Sequence, residues 1–410
     1  MQMGSYPEAV RHLYGLTRFG VKLGLENTLR LAELVGEPHR RLRFIHVAGT
    51  NGKGTTCAML ESICRQAGMR VGLYTSPHLI SFRERIQVGR ELIPEDQVVR
   101  LVGELQTVCA DMEEPLVPTF FEFVTVMAFR YFAEQECDVV VLETGMGGRF
   151  DSTNIVRPLV SVITPISLDH QAFLGDTLPK IAREKAGIIK PEIPVVTAPQ
   201  EPEVMAVLQE HAAANCSRLV ESRFNDEAAG DPNEPVARCV AEMLADRLGL
   251  SGEAIGAGLE RWSWPGRFQR IEQPGRTVLL DGAHNPAGFR MLCERLPAAG
   301  MKRPVLILGL LGDKDASEIV KLLPENFSDV LIVPIASKRA GDTANLEESI
   351  RKAGGSFATC PDLSGAFVRA GSAPGVVVAG SFYLVGEALE WLGEVPVGVR
   401  SERELNEFGR

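Results

Sequence analysis

The stretch IHVAGTNGKGTT, residues 45–56, joins a hydrophobic strand pattern to a glycine-rich turn and then to a helix start. Glycines let backbone N–H groups close around phosphate oxygens, and a helix N-terminus adds partial positive charge. Lys53 can reach the outer phosphates, while a threonine hydroxyl can ligate Mg²⁺. Gly54 separates Lys53 from Thr55, which departs from the usual G-x-x-x-x-G-K-[ST] spacing. The predicted ATP-binding residues are Thr50, Asn51, Gly52, Lys53, Gly54, Thr55 and Thr56.

Hydrophobic runs alternate with helical patterns over nearly the whole chain. Several runs are almost continuous in Val, Ile and Leu, which is typical of parallel strands covered on both faces. The sequence therefore predicts an α/β fold with sheets between helices. Predicted strands cover residues 44–48, 139–144, 160–165, 194–198, 278–281, 305–308, 330–334 and 376–380. Predicted helices cover residues 56–67, 121–134, 176–190, 236–248 and 287–296, with Asp176 as the N-cap of the third.

The 410 residues are more than one ordinary hydrophobic core accommodates, so two domains are predicted. A helical pattern ends at WSWPGR, residues 262–267, where Pro and Gly precede a new strand pattern. We place the boundary there, with an ATP-binding domain over residues 1–266 and a smaller domain over 267–410. Residues 221–235 collect Gly, Pro, Asn and acids, and this composition predicts a loop.

Composition excludes several classes of partner and location. The net charge is −10, so neither nucleic acid nor an anionic membrane is an expected partner. The N-terminus lacks the pattern of a secretory signal, and no run approaches the roughly 18 apolar residues of a membrane span. Eight cysteines are scattered without a C-x-x-C pair, which favours reduced thiols and a cytoplasmic location.

Two polar positions follow predicted strands near the phosphate loop. Glu143 ends the strand pattern at 139–142, and His170 follows the strand pattern at 160–165. Ligands of open parallel sheets bind at this carboxyl edge, so a Mg²⁺ site is predicted. Histidine is an uncommon Mg²⁺ ligand, and His170 alone is more often an ordinary hydrogen-bonded residue. Lys185, taken alone, is typical of a solvated helix lysine.

Taken together, these segments resemble the folylpolyglutamate synthase/dihydrofolate synthase family of Mur ligases. The similar motifs follow the family's order over nearly the whole chain. They are IHVAGTNGKGTT (45–56), GLYTSPHL (72–79), ERI (84–86), PTFFE (118–122), ETGMGGRFDSTN (143–154), SLDH (167–170), LGDT (174–177), EKAGIIK (184–190), WPGRFQ (264–269), DGAHNP (281–286), DKD (313–315) and GSFYLVGE (380–387).

The resemblance implies a P-loop-type parallel-sheet ATPase domain followed by a smaller Rossmann-like C-terminal domain that carries glutamate-ligase function. It implies two Mg²⁺ sites, K⁺ as a candidate further cation, and a carbamylated lysine at position 185. The implied metal ligands are Thr55, Ser76, Glu143, His170 and carbamylated Lys185. The implied catalytic residues are Lys53, Lys185, His170 and Glu143.

Further site residues are also implied by the resemblance. Relatives contact nucleotide through motifs that match Arg267, Asp281 and His284. Bifunctional members bind the pterin through a TFFE stretch and a nearby L-D-A, of which this chain keeps only the Asp. The implied pterin or folate residues are Leu23, Gly24, Thr119, Phe120, Phe121, Glu122, Phe150, Asp151 and Ser152.

The implied reaction joins L-glutamate to dihydropteroate and to folates. ATP phosphorylates the carboxylate, and the amine of glutamate then attacks the acyl phosphate. A monomer is expected because relatives are often monomeric. A monofunctional folylpolyglutamate synthase, a Mur ligase with another acid and amino acid, and a silent nucleotide-binding homologue remain alternatives. The silent alternative draws its support from the absence of the family's H-Q-x-x-N-A stretch, for which Asn233 is a speculative replacement.

Overall fold

A computed structural model describes residues 4–19, 24–112, 116–223, 231–312, 316–335, 343–395 and 402. The chain divides into two compact units. The first contains residues up to His78, the segment Phe82–Ser263 and Glu402, and the second contains Leu79–Ser81 and the chain that begins at Trp264. The predicted boundary at residue 266 stays a prediction, and no sequence pattern indicated that Leu79–Ser81 belongs to the second unit.

The first unit is built on an eight-stranded sheet with the order β4-β3-β2-β5-β1-β6-β7-β8. β1 pairs in parallel with β5 and β6, so it occupies the middle of the sheet. Within this sheet, only the pairings of β3 with its neighbours are antiparallel among the described strands. The strands are β1 Phe44–Ala48, β2 Val71–Tyr74, β3 Ile86–Val88, β4 Glu91–Leu92, β5 Val139–Glu143, β6 Val160–Ile163, β7 Val195–Thr197 and β8 Leu219–Glu221.

The central strands of this sheet are buried along their whole length, because helices pack around the sheet. One large apolar core includes Phe44, Phe123 and Leu142, and another includes Ile163, Ile181 and Val195 on the β7 side. The helices are α1 Tyr6–Gly15, α2 Glu26–Leu34, α3 Lys53–Gln66, α4 Glu95–Ala110, α5 Phe120–Glu134, α6 Gln171–Leu174, α7 Leu178–Ala186, α8 Pro202–Ala214, α9 Glu234–Leu248 and α10 Gly252–Arg261.

The second unit has a six-stranded sheet with the order β13-β12-β11-β14-β10-β9. All its pairings are parallel except the β9–β10 hairpin. Its strands are β9 Gln269–Gln273, β10 Arg276–Leu280, β11 Val305–Leu308, β12 Asp329–Ile332, β13 Ala358–Thr359 and β14 Gly375–Ala379. Its helices are α11 Pro286–Arg295, α12 Ser317–Asn326, α13 Thr343–Lys352, α14 Leu363–Ala370 and α15 Phe382–Leu392.

The segment Leu79–Ser81 belongs to the apolar core of this second unit. Ile80 is buried in a cluster with Leu280 and Leu384. A side chain at Gly386 would lie 2.5 Å from the carbonyl oxygen of Leu79, so α15 approaches the segment through a glycine. The three residues that follow the TSPH motif therefore belong to the second unit, although the motif itself belongs to the first.

The α/β class and the eight predicted strands are confirmed, with ends that shift by at most two residues. β2 and several short strands, including β4, β8 and β13, were not predicted. The prediction of Asp176 as an N-cap is wrong, because α7 begins at Leu178 after Thr177. Asp176 instead forms an exposed ion pair with Lys180. Among the described residues, no helix is both long and apolar enough to cross a membrane.

Candidate functional site

The phosphate loop follows β1 and is held on the end of β6. The backbone N–H groups of Thr50 and Asn51 donate to the carbonyl of Pro165 over 3.0 and 3.3 Å. The Thr50 hydroxyl donates to the carbonyl of Ser167 and accepts from its N–H, each over 3.1 Å. These two loop residues therefore fix the position of the loop, while phosphate binding by them stays a prediction.

The loop then turns into α3. Gly52 has a φ of 84°, a left-handed conformation that glycine adopts at low cost, and Lys53 begins the helix. The first N–H groups of a helix have no acceptor within it, so those of α3 are available to bind an anion. The Lys53 ammonium donates to the Thr50 carbonyl over 3.1 Å, which folds it back over the loop. Thr55 and Thr56 lie in the first turn and are buried.

Glu143 and Ser76 meet beside this loop. Glu143 ends β5, which is next to β1, and is only 2% exposed. Its carboxylate accepts from the backbone N–H of Ser76 over 2.9 Å. Together with the Thr55 hydroxyl, these groups offer the oxygen ligands that Mg²⁺ prefers. The described residues contain no group of three or more His, Cys, Asp or Glu suited to a metal ion, so a site here depends on hydroxyl oxygens.

Asp151 braces the turn that follows Glu143. One carboxylate oxygen accepts from the N–H groups of Gly145 and Met146, each over 2.9 Å. The other accepts from the N–H and hydroxyl of Thr153. That hydroxyl also lies 2.8 Å from Nε2 of buried His46. Since Thr153 donates to Asp151, it accepts from His46, and burial lowers the pKa of His46 to about 3.

Lys185 is buried, which corrects the interpretation of a solvated helix lysine. Its side chain is 4% exposed and its ammonium nitrogen donates to the Gly49 carbonyl over 2.6 Å. Burial, together with the positive charge of Lys53, lowers the pKa of Lys185 to about 7. The turn at Gly148 packs on the end of α7, because a side chain there would lie 2.8 Å from the Lys185 carbonyl oxygen.

His170 is on the rim of this region, at the start of α6. Its φ of 51° is left-handed, and its side chain is 43% exposed. Its Nε2 lies 3.9 Å from Asp169, whose carboxylate is 10% exposed and raises the pKa of Lys185. Asp169 is a candidate that sequence reasoning passed over. In the sequence, Asp169 could have been found from its position between the end of β6 and His170.

Asp281, one of the three predicted nucleotide-binding residues of the second unit, connects two turns of the backbone. Its two oxygens accept from the N–H groups of Phe268 and Ala283, each over 2.8 Å. Burial raises the pKa of Asp281, although Arg267 opposes that shift. Asp281 thus ties the turn after β10 to the turn before β9. Its carboxylate is engaged with backbone groups, and contact with nucleotide stays a prediction.

One aromatic ring connects the other two candidates. The Arg267 guanidinium lies over the ring of Phe382, 4.4 Å from its centroid. The His284 ring centroid is 5.5 Å from the same ring, and His284 Nδ1 donates to the Gly282 carbonyl over 2.8 Å. Phe382 lies within the motif GSFYLVGE (380–387) but was not predicted as a site residue. The structure makes it the shared support of Arg267 and His284.

The predicted pterin residues have clear local roles. Thr119 and Glu122 form a capping box at the start of α5, with each side chain bonded to the other's backbone N–H. Phe120 stacks on Tyr14 at 5.9 Å, and Phe121 covers Gly145. The Ser152 hydroxyl donates to the Phe121 carbonyl, and the Phe150 ring makes a cation–π contact. Gly24 has a left-handed φ, and Leu23 lies outside the described residues.

Comparison with known proteins assigns both units to one class. Residues 47–233 match the Mur ligase middle domain, and residues 266–382 match the Mur ligase glutamate ligase domain. The structure resembles Escherichia coli FolC in complex with DHPP and ADP, with a TM-score of 0.87, 30% identity, and coverage of 96% of this chain and 99% of that one. The fold and the phosphate-loop site therefore define an ATP-dependent ligase of the Mur type.

Comparison with individual relatives narrows the class of Mur ligases to one family. The chain is 34% identical to the dihydrofolate synthase/folylpolyglutamate synthase of Bacillus subtilis, over 93% of this chain and 98% of that protein. It is 35% identical to the protein of the same name from Escherichia coli, over 90% and 91% of the two chains. The chain belongs to the dihydrofolate synthase/folylpolyglutamate synthase family, which confirms the resemblance drawn from the motifs.

Proposed function

We propose that this protein ligates L-glutamate to dihydropteroate, forming dihydrofolate, and to the γ-carboxylate of folates. Family membership supports the reaction, and it includes proteins named for both activities. The observation that carries the proposal is the convergence of three segments at the carboxyl edge of one sheet. The phosphate loop, Glu143 bonded to Ser76, and buried Lys185 bonded to Gly49 meet there.

The first step transfers the γ-phosphoryl group of ATP to a carboxylate oxygen and releases ADP. The α3 N-terminus and Lys53 orient the phosphates and stabilise the charge that develops on them. Thr55, Ser76 and Glu143 would hold Mg²⁺, which supplies further charge neutralisation when bound. The amine of glutamate then forms the amide bond as the acyl C–O bond breaks and phosphate leaves. No nucleophilic side chain is needed.

We propose that Lys185 is carbamylated. A carbamate forms from CO₂ and a neutral amine, and a pKa of about 7 leaves much of this amine neutral near physiological pH. The modification would replace a buried cation with an anionic oxygen group, as a second Mg²⁺ site with His170 requires. Asp169 is close enough to Lys185 to affect its charge and is a candidate for the same region.

The remaining assignments rest on motif similarity and local geometry. Arg267, Asp281 and His284 are proposed as the nucleotide-contacting part of the second unit. The pterin is proposed to bind near α5 through the TFFE segment and the segment that contains Asp151. K⁺ as an additional cation and a monomeric state are carried over from the resemblance, and the cytoplasm is proposed from scattered cysteines that form no disulfide among the described residues.

A single assay tests the function. Purified protein receives ATP, Mg²⁺ and L-glutamate with dihydropteroate, tetrahydrofolate or a muramyl acceptor, and both ADP release and product mass are measured. We expect ADP release with dihydropteroate and with tetrahydrofolate, and a mass gain of one glutamyl residue on each. Release with tetrahydrofolate alone would indicate a monofunctional synthase. Release with a muramyl acceptor alone would indicate another Mur ligase, and no release with any acceptor would contradict the proposal.

A further inference from the structure

Asn233 immediately precedes α9 but does not cap it. Asparagine is among the best N-cap residues, and its side chain normally accepts from a backbone N–H of the first turn, which stabilises a helix. Asn233 makes no such bond, and its φ of −89° and ψ of −13° are helical rather than extended. The side chain is nevertheless buried, with the residue 4% exposed. The Asn233 side chain therefore makes its contacts outside the first turn of α9.

Asp231 determines where the amide points. One Asp231 oxygen accepts from the Asn233 backbone N–H over 3.0 Å and from the Asn233 side-chain nitrogen over 2.8 Å. A carboxylate is an acceptor only, so the NH₂ group of the amide must face Asp231. The amide oxygen is therefore directed the other way.

The amide oxygen packs against the phosphate loop. A side chain on Gly52 would lie 1.9 Å from Asn233 Oδ1, so the oxygen occupies the space that any other residue at position 52 would need. Gly52 has the left-handed φ of 84° and directly precedes Lys53, the first residue of α3. Asn233 is thus placed at the turn on which the orientation of Lys53 and the α3 N–H groups depends.

We infer that Asp231 and Asn233 are a positioning pair for the ATP-binding loop. Asp231 orients the Asn233 amide, and the amide oxygen holds Gly52 in the conformation that directs α3 at the phosphates. The inference rests on the proposed function, because ATP is the ligand concerned. It gives the segment before α9 a specific role although that segment lacks the H-Q-x-x-N-A stretch, and it adds Asp231, which the sequence did not single out.

The test measures ATP affinity apart from turnover. Full-length wild-type protein and the D231A and N233A variants are titrated with a non-hydrolysable ATP analogue and Mg²⁺ by calorimetry, and KM values are measured for ATP, folate and L-glutamate. We expect Kd and KM for ATP to rise about tenfold in each variant, the effect of losing a hydrogen bond to a charged group. KM for folate and for glutamate should not change.

Non-additivity is the sharper criterion. If Asp231 acts through Asn233, the D231A/N233A double variant should bind ATP no more weakly than N233A alone. D231N keeps an oxygen acceptor and should recover most of the lost affinity. Glu234 is the matched control, because it is the next residue along and forms a surface ion pair with Arg238. E234Q should bind ATP as wild type does.

Unchanged ATP affinity in D231A, or additive losses in the double variant, would overturn the inference. So would an equal rise in all three KM values with a lowered melting temperature, which is the result expected of a merely structural residue. If D231A does not fold, N233A against E234Q decides, and no rise in Kd for N233A relative to E234Q would reject the role. Failure of the wild type to bind the analogue would instead remove the proposed function.

Discussion

The two units use buried carboxylates near their candidate nucleotide sites in different ways. Glu143 accepts the N–H of Ser76 and lies at the end of β5, which is next to the central strand β1. Asp281 gives both its oxygens to backbone N–H groups of two turns. The first carboxylate is suited to a metal ion, whereas the second is suited to holding loops. A strand-end acid beside a predicted nucleotide site can thus be a ligand or a brace.

The difference extends to the basic residues. Lys53 and Lys185 both donate to carbonyls of the phosphate loop, and burial with mutual repulsion lowers the pKa of Lys185. Arg267 and His284 instead contact the ring of Phe382. The first unit concentrates charged groups at the phosphate loop, while the second arranges flat groups beside an aromatic side chain.

Substitution of Lys53 should have the largest effect. K53A removes the charge at the start of α3, and ATP-dependent phosphate release should fall by roughly 10²–10³-fold or more. The melting temperature should stay close to that of wild type, because the only hydrogen bond of the ammonium among the described residues is to a loop carbonyl. K180A is the control, since Lys180 is an exposed helix lysine paired with Asp176. Near-normal turnover of K53A would contradict the ligase mechanism.

Lys185 should have the next largest effect and a distinct pH dependence. K185A should lose about 10- to 100-fold in turnover and be partly rescued by small carboxylic acids that replace the carbamate. Full activity of K185A without added acid would reject a carbamate role.

The pH dependence of Lys185 follows from its lowered pKa. The amine is protonated below about pH 7 and neutral above it. Reactivation of CO₂-depleted enzyme at constant dissolved CO₂ should therefore rise from pH 6 to pH 8 and then level off. An ordinary lysine, with a pKa near 10.4, would give a rate that still rises tenfold per pH unit at pH 9. That outcome would show that burial does not lower the pKa.

D281N tests the brace in the second unit. The amide nitrogen cannot accept, so one of the two backbone N–H groups loses its partner, and the free energy of unfolding should fall by about 1–3 kcal/mol. KM for ATP should rise because the turns carrying Arg267 and His284 loosen. D362A provides the control, since Asp362 caps α14 and its loss should cost about 1 kcal/mol. A rise in KM for ATP in D362A would show that any destabilisation suffices.

The smallest effect is expected at Phe382. F382L removes the cation–π contact with Arg267, worth about 0.5–2 kcal/mol, and KM for ATP should rise severalfold with little change in stability. F367L is a matched control because Arg276 lies over the Phe367 ring at 5.3 Å and Trp391 stacks on it. Equal changes in the two variants would mean that Phe382 has no particular connection to the nucleotide site.

Sequence reasoning found the fold class and most central strands because a buried parallel strand needs a continuous apolar run. It missed β4 and β13, which have only two residues each and sit at sheet edges. A strand of two residues is too short to show the periodicity by which strands are predicted. It also placed an N-cap at Asp176, a residue before the true one, because any Asp near a helix start satisfies the same pattern.

The sequence by itself determined the phosphate loop, the position of Glu143 at a strand end and the family. These depend on local spacing, and carboxyl ends of neighbouring parallel strands necessarily meet at one edge. Only the tertiary structure decided that Lys185 is buried and that Asn233 faces Gly52. Each of these depends on which surface a side chain meets after folding. For Lys185 and Asn233, that surface comes from a segment more than a hundred residues away in sequence.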